Sequence, residues 1–442
     1  MPHFTGMEKI SSFIQNYVVF SNNLKKIMQT HRYAAWLCLI FLSFQTVTGQ
    51  ARGVRTGLER LCEDQFSLLK GERVGLITNP TGIDRHFQTA TDLFHNAPGF
   101  ELVALFGPEH GVRGDYGAGD YVGNYTDSRT GLPVYSIYGK TRKPTPEMLK
   151  GIDVLVYDIQ DIGSRSYTYI STLGLAMEAA AENNIRFVVL DRPNPLGGLK
   201  MEGMITRQGF FSFVSQFPIP YVHGLTVGEL ALFLNNEGLL ANGVKCNLTV
   251  IPMKGWKRRM TFDQTGLPWV LTSPHIPHEY SPMFYPLSGI LGELYTMSIG
   301  VGYTLPFQLF AAEWVEAEKL VAALNGLALP GITFRPIHFT PYYSTGKGSI
   351  LHGVQVYLTC YAKANLSLIQ FYVMQECHRL WPDKNLFEMC DPSRLNMFDK
   401  VCGSDVIRKT FTEHFQVDSI RDLWMQEIPA FREKVKRYML YK

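Results

Sequence analysis

The sequence predicts an α/β protein built on a parallel, doubly wound sheet. Apolar runs typical of buried strands recur through the first half of the chain, and helical patterns follow several of them. The predicted strands cover residues 71–77, 100–106, 153–157 and 185–190, and the predicted helices cover 89–95, 146–149 and 171–182. Short connections between such elements are typical of a parallel sheet with helices on both faces.

The strand at 153–157 is the clearest of these elements. Val154 to Tyr157 form an apolar run suited to a strand covered on both faces. Polar side chains follow directly, and they include Asp158, Asp161, Arg165 and Tyr167. In open α/β sheets this edge is where ligands bind, which makes the segment a candidate site. The structural alternative is a solvated turn that carries an Asp–Arg pair.

Two other predicted strands also end in polar segments. The strand at 100–106 is followed by Glu109, His110 and Arg113, and the strand at 185–190 by Asp191, Arg192 and Asn194. Because right-handed crossovers bring the carboxyl ends of parallel strands to one edge, these side chains are expected to converge.

Glu109 is the sharpest single candidate. A glutamate at a strand end beside apolar walls can act as a general acid. The alternative is a surface pair between Glu109 and Arg113. For Asp158 and Asp161, two close carboxylates favour acid–base chemistry, whereas a hard cation such as calcium or magnesium is the weaker reading because the spacing lacks a regular ligand pattern.

The pattern changes after about residue 226, which predicts a smaller second α/β domain. Its predicted elements are helices at 227–237, 316–325 and 367–380 and strands at 248–251 and 354–359. We therefore divide the chain into a targeting segment at 1–49, a first domain at 50–225 and a second at 226–442, with a soft boundary at 205–230.

The N-terminus predicts an exported protein. Met28 is a better start than Met1, because a short basic region and an apolar run at 34–44 follow it. That run is short for a bilayer span and typical of a signal peptide, with a cleavage point expected near Gln50. The mature protein is expected to be periplasmic or secreted without stable membrane insertion; an uncleaved anchor is the alternative.

Composition excludes several function classes. The net charge of +3 over 442 residues and the lack of a basic run give no support for a nucleic-acid partner. The cysteines outside the targeting segment form no Cys-x-x-Cys pair, so a zinc site is not expected, and no disulfide pairing can be assigned. The glycine-rich stretch at 117–123 follows no strand, and prolines interrupt His275, His278 and Glu279, so neither a cofactor nor a metal is predicted.

Five segments resemble the NamZ-type exo-β-N-acetylmuramidases, a bacterial glycosidase family. They are FGPEHGVRG (106–114), TGLPVY (130–135), DIQDIGSRSYTY (158–169), LDRPNPLGG (190–198) and GLPW (266–269). The resemblance covers residues 54–442. It implies a Rossmann-like N-terminal domain, a smaller C-terminal domain and a cleft between them. It also implies release of N-acetylmuramic acid from the non-reducing ends of peptidoglycan fragments.

The resemblance, together with the two carboxyl roles that glycoside hydrolysis needs, suggests roles for the candidates. Glu109 is expected to be the general acid, and Asp158 or Asp161 the base or the stabiliser of the transition state. Arg165 or Arg192 is expected to bind the lactyl carboxylate of muramic acid. The remaining predicted substrate contacts are His110, Arg113, Tyr167, Asp191, Asn194 and Glu293. An arginine that the family pattern often carries is replaced here by Val301, which bears on substrate preference.

Two other functions fit the same residues. A non-catalytic periplasmic receptor for muropeptides would also place a cleft between two α/β domains. A metal-dependent hydrolase would lose activity in chelator. Retention or inversion of configuration stays open, because the acetamido group of the substrate can itself take part.

Overall fold

The computed structural model describes residues 53–114 and 123–442. The predicted targeting segment at 1–49 and most of the glycine-rich stretch at 117–123 lie outside these residues. From Val54 to Lys442 the chain forms one compact unit.

A seven-stranded sheet forms the framework of the first half, in the order β3-β4-β2-β1-β5-β6-β7. Neighbouring strands run parallel except β3, which pairs antiparallel with β4. The strands are β1 (Arg73–Thr78), β2 (Glu101–Gly107), β3 (Tyr125–Thr126), β4 (Pro133–Ser136), β5 (Val154–Asp158), β6 (Arg186–Leu190) and β7 (Leu248–Ile251).

Helices cover both faces of this sheet. They are α1 (Gly57–Glu63), α2 (Ala90–Asn96), α3 (Tyr169–Glu182) and α4 (Val227–Asn236). Side chains alternate along a strand, so Val154 and Val156 of β5 pack with α1 and α2, whereas Leu155 and Tyr157 pack with α3 and α4. Burial on both faces explains why β5 is a continuous apolar run.

This topology confirms the predicted doubly wound, Rossmann-like α/β fold. The chain builds outward from β1 through β2 in one direction and through β5, β6 and β7 in the other. The strand order therefore reverses between β1 and β5, and the ends of β1, β2 and β5 meet at the crevice where such folds bind ligands.

The second half contains a smaller antiparallel sheet and eight further helices among the described residues. The strands are β8 (Leu309–Ala312), β9 (Ile332–Phe339) and β10 (Leu351–Leu358), in the order β8-β10-β9. The helices are α5 (Ser281–Gly292), α6 (Ala317–Gly326), α7 (Ile369–Leu380), α8 (Leu386–Met389), α9 (Pro392–Cys402), α10 (Val406–His414), α11 (Asp418–Met425) and α12 (Ile428–Val435).

Two local predictions differ from the structure. Residues 146–149 form turns instead of a helix, because Gly151, at a φ of 77°, follows before a second turn can form. The strand at 248–251 was expected in the second domain, but it pairs in parallel with β6 at the edge of the large sheet. The domain division at residue 225 stays a prediction.

The described cysteines are free thiols, at Cys62, Cys246, Cys360, Cys377, Cys390 and Cys402. Within residues 53–114 and 123–442, no helix is long and apolar enough to cross a membrane.

Candidate active site

Glu109 lies in a turn directly after β2, and two hydroxyl groups hold its carboxylate. Tyr138 donates its hydroxyl to Oε1 at 2.9 Å, and Thr168 donates its hydroxyl to Oε2 at 3.1 Å. The turn is closed by a hydrogen bond from the Gly111 N–H to the Pro108 carbonyl at 3.0 Å. Glu109 is half-buried, and these two hydroxyls orient its carboxylate.

Tyrosine side chains surround this carboxylate. The ring of Tyr167 lies 5.0 Å from that of Tyr169 and 5.7 Å from that of Tyr285. Tyr167 and Tyr169 donate to the hydroxyl and the carbonyl of Thr272 at 2.8 and 2.5 Å. Burial, with the charge of Glu109 as a further cause, raises the pKa of Tyr138 and Tyr169, so both stay neutral donors at neutral pH.

Asp161 has one oxygen that no described group satisfies. Its Oδ2 accepts the Gly163 N–H at 2.7 Å and lies 3.4 Å from Nε2 of His223, whereas its buried Oδ1 has no partner among the described residues. Nδ1 of His223 accepts the Leu225 N–H at 3.2 Å, so in the neutral ring the proton is on Nε2, facing Asp161.

Tyr285 lies within reach of the charges of three predicted carboxylates. Its hydroxyl lies 3.1 Å from that of Ser166. Burial raises the pKa of Tyr285, and the nearby charges of Glu293, Glu109 and Asp161 add to the effect. These three predicted residues therefore lie around one tyrosine.

Glu293 ends α5 and faces a cavity of ≈ 180 Å³ that Tyr285 also lines. Arg394 bonds its carboxylate at 2.5 Å and its carbonyl at 2.7 Å. Burial raises the pKa of Glu293, against the lowering effect of Arg394. Glu293 thus forms part of the wall of this cavity, and Arg394, about a hundred residues later in the chain, holds it in place.

Asp158 and Arg192 form an ion pair inside the protein. The guanidinium donates to both carboxylate oxygens, from Nε at 2.6 Å and from the second nitrogen at 2.8 Å, and also to the Ile83 carbonyl at 3.1 Å. Asp158 is fully buried, and burial raises its pKa against the lowering effect of Arg192. The charges of Asp158 and Arg192 therefore neutralise each other.

Arg165 is also enclosed by protein. Its guanidinium donates to the carbonyls of Met204, Ile219 and Val401 and to the Ser215 hydroxyl, and burial lowers its pKa to about 10. It joins the loop after β5 to α9. Arg165 and Arg192, the two residues predicted to bind the lactyl carboxylate, thus both donate their hydrogen bonds to acceptors within the protein.

Three further candidates hold loops together. Asn194 bonds the Leu225 carbonyl and the Leu196 N–H, both at 2.9 Å. Asp191 accepts from the Gly228 N–H and from Tyr441. Arg113 donates to both oxygens of Asp127 at 3.0 Å, which with two bonds from Thr130 lowers the pKa of Asp127 to about 2. The guanidinium of Arg113 is thus directed to Asp127.

Sequence reasoning missed several residues of the site. They are Tyr138, Thr168, Tyr285 and His223, and His275 was considered only as a metal ligand. Thr168 could have been found from its position, because it lies between the loop after β5 and the start of α3. Tyr285 gave none, because the neighbouring Pro286 makes a helix improbable by propensity in this segment.

His110 and His275 add two imidazoles to the cleft. Burial and the nearby His110 lower the pKa of His275, whose ring nitrogens lie 3.0 and 3.1 Å from the hydroxyl of Tyr343. A general acid candidate, a second carboxylate with an unsatisfied oxygen and a set of neutral hydroxyl donors form a glycosidase-type site on a doubly wound sheet.

Comparison with known proteins gives the family. The family model described as "Exo-beta-N-acetylmuramidase NamZ, N-terminal" matches residues 74–280, and the model of the C-terminal domain of the same family matches residues 283–441. The chain therefore belongs to the NamZ exo-β-N-acetylmuramidase family, as the sequence motifs predicted.

Three relatives agree with this membership. The chain is 45% identical over 394 residues to the peptidoglycan β-N-acetylmuramidase NamZ of Bacillus subtilis (strain 168), covering 89% of this chain and 93% of that protein. A crystal structure of a DUF1343 family protein from Bacteroides fragilis NCTC 9343 matches with a TM-score of 0.85 and 60% identity, over 88% of this chain and 100% of the other. A crystal structure of a second DUF1343 family protein from that organism matches with a TM-score of 0.69 and 29% identity, over 88% of this chain and 99% of the other.

Proposed function

We propose that this protein is an exo-acting glycoside hydrolase that releases N-acetylmuramic acid from the non-reducing ends of peptidoglycan fragments. Membership of the family and the activity of the Bacillus subtilis relative support the reaction. The observation that carries the site assignment is the half-buried carboxylate of Glu109, fixed by two hydroxyls at the carboxyl edge of the sheet.

Glu109 acts as the general acid in this proposal. A hydroxyl can donate or accept, so Thr168 can accept from protonated Glu109 and donate once the proton has moved to the leaving oxygen. Tyr138, neutral because of its raised pKa, keeps donating to the other oxygen in both states. Glu109 can therefore change protonation without losing its orientation.

Asp161 takes the second carboxyl role, because it is the predicted aspartate with an unsatisfied oxygen. Its other oxygen is fixed by the Gly163 N–H and faces His223. Oδ1 is buried and has no described partner, which suits it to hold a water or the N–H of the substrate's acetamido group. Activating the water would supply the nucleophile, whereas orienting the acetamido group would stabilise positive charge at the anomeric carbon. Asp158 has no such oxygen, since Arg192 takes both.

His110, Tyr167 and Glu293 remain the proposed contacts to sugar hydroxyls and the acetamido group. Tyr167 offers a half-buried aromatic face in the site, and aromatic faces suit the apolar side of a pyranose ring. Glu293 and Tyr285 line the adjoining cavity of ≈ 180 Å³.

Turnover of a nitrophenyl β-N-acetylmuramic acid glycoside tests the proposal, with the N-acetylglucosamine analogue beside it. Wild type should release nitrophenol from the muramic compound, and Glu109→Gln should lose at least about 100-fold in kcat. Glu101→Gln is the matched control, since Glu101 lies at the opposite end of β2 and is exposed. It should keep wild-type turnover.

The same assay separates the two alternatives. A receptor would bind the muramic compound without turnover, and Glu109→Gln would change its affinity little. A metal-dependent hydrolase would lose turnover in chelator. If the folded wild type turned over no muramic acid glycoside, the proposed enzymatic function would be refuted.

We also propose that the protein is exported, on the strength of the basic start at Met28 and the apolar run at 34–44. Expression of the chain in a Gram-negative host, followed by fractionation and N-terminal sequencing, tests this. A mature end near Gln50 in the periplasmic or secreted fraction is expected. Full-length protein in the cytoplasm would contradict it.

A further inference from the structure

The lactyl carboxylate distinguishes muramic acid from N-acetylglucosamine, so an enzyme selective for muramic acid needs a cation in its cleft. This reasoning rests on the proposed function. The two predicted cations, Arg165 and Arg192, are both buried and donate to protein acceptors. Binding a substrate carboxylate with either would leave those buried acceptors unpaired, at high cost.

Two ring contacts and one hydrogen bond connect the cation Arg142 to Glu109. Its guanidinium carbon lies 4.4 Å from the centre of the Phe213 ring, and that ring lies 6.1 Å from the ring of Tyr138. Tyr138 in turn donates to Glu109 at 2.9 Å. The charge of Arg142 also reaches Tyr138, where it opposes the rise in pKa caused by burial and Glu109.

The stacking on Phe213 leaves the donors of Arg142 available. A guanidinium that lies over an aromatic ring still directs its N–H groups outward in its own plane, in the fork that matches a carboxylate. Arg142 is exposed, and within residues 53–114 and 123–442 no carboxylate or carbonyl accepts a hydrogen bond from it.

Neighbouring cations are less suited to this task. Lys143 is bonded to Glu182 at 2.6 Å and Glu178 at 3.4 Å, so its charge is used against α3. His275 is disfavoured as a cation, because burial and His110 lower its pKa.

We propose that Arg142 binds the lactyl carboxylate of N-acetylmuramic acid and thereby sets the preference for muramic acid over N-acetylglucosamine. Phe213 supports the guanidinium from one side, and the fork of N–H groups donates to the two carboxylate oxygens. Arg142 is a specificity-determining residue in this role and takes no part in bond cleavage.

The test compares three nitrophenyl glycosides: N-acetylmuramic acid, its neutral lactyl amide, and N-acetylglucosamine. In Arg142→Gln, kcat/KM for the muramic acid compound should fall roughly 10- to 100-fold, as expected for losing charge-assisted hydrogen bonds. The lactyl amide should react as well with the variant as with wild type, within about twofold, because it carries no charge to recognise. Arg142→Lys keeps the charge without the fork and should fall between the two.

Arg259→Gln is the matched control, since Arg259 is exposed, and no described residue is seen to pair with it. It should leave all three rates unchanged. An equal loss on the acid and the amide would assign Arg142 to packing around Phe213 and Tyr138, and it would overturn the inference. An unchanged ratio of acid to amide would overturn it as well. Failure of wild type on every muramic substrate is a different result, which would refute the proposed function itself.

Discussion

Replacing Asp158 by Asn should destabilise the protein strongly and lower turnover per folded molecule far less than Asp161→Asn does. The substitution removes the negative partner of Arg192, a residue that is only 5% exposed and still donates to the Ile83 carbonyl. Breaking a buried ion pair from one side costs about 3–5 kcal/mol, mostly because a charge is left uncompensated. We expect the free energy of unfolding to fall by about that amount.

Asp161→Asn should show the opposite pattern. An Asn side chain can still present an oxygen to the Gly163 N–H, so the free energy of unfolding should change by less than about 1 kcal/mol. Loss of the carboxylate should lower kcat by at least about 100-fold. Urea denaturation and turnover per folded molecule, measured on both variants, separate the two aspartates.

A double variant, Asp158→Asn with Arg192→Leu, checks the physical cause. If the cost of the single change comes from the uncompensated charge, removing that charge should recover most of the lost stability. Normal stability combined with lost turnover in Asp158→Asn would refute the reasoning and move the catalytic role to Asp158.

Three further predictions follow from the same contacts. Tyr138→Phe should lower kcat about tenfold by removing one hydrogen bond to Glu109, and Tyr357→Phe, which removes an exposed hydroxyl, should not. Burial raises the pKa of Asp191 to about 7 from its ordinary 3.8, so the folded state binds a proton more readily than the unfolded state. Its contribution to stability is complete below about pH 4 and is lost as the pH rises through 7, and urea denaturation across this range should show a weaker decline in Asp191→Asn. Gly302→Ala should cost about 1–3 kcal/mol in urea denaturation, because a Cβ there meets the Tyr343 carbonyl at a positive φ; Gly348→Ala, also at a positive φ but in open space, should cost less.

The large sheet was predictable because burial on both faces leaves a direct mark on the sequence. β1, β2, β5 and β6 each appear as an apolar run with polar residues at its end. The parallel arrangement followed from the helices between them. β7 was found as a strand but given to the wrong sheet, since nothing within four residues specifies which edge a strand joins.

The second half was less predictable because its elements depend on distant partners. α5 carries Pro286 in its interior, which argues against a helix. Gln370 of α7 compensates, as it donates to the Pro286 carbonyl and accepts from the N–H groups of Ile290 and Leu291. Such an interaction is invisible in a local window of sequence.

The same limit explains the candidate site. The sequence shows which charged residues follow the strands and helices, but their partners lie far along the chain: Val401 for Arg165, Tyr441 for Asp191 and Arg394 for Glu293. A charged side chain whose hydrogen bonds all go to fixed protein partners holds loops in place, whereas one with an unsatisfied oxygen or unused N–H donors is a candidate for a functional role.

The two kinds of residue depend on each other at this edge of the sheet. The pair of Asp158 and Arg192, with its bond to the Ile83 carbonyl, ties together the segments that follow β1, β5 and β6. Asp161 lies three residues beyond Asp158, so the position of its open oxygen depends on that tie. Catalytic groups must be held to within a fraction of an ångström by residues that are themselves locked. The buried charges that take no part in the proposed chemistry are therefore what makes the position of the reacting carboxylate definite.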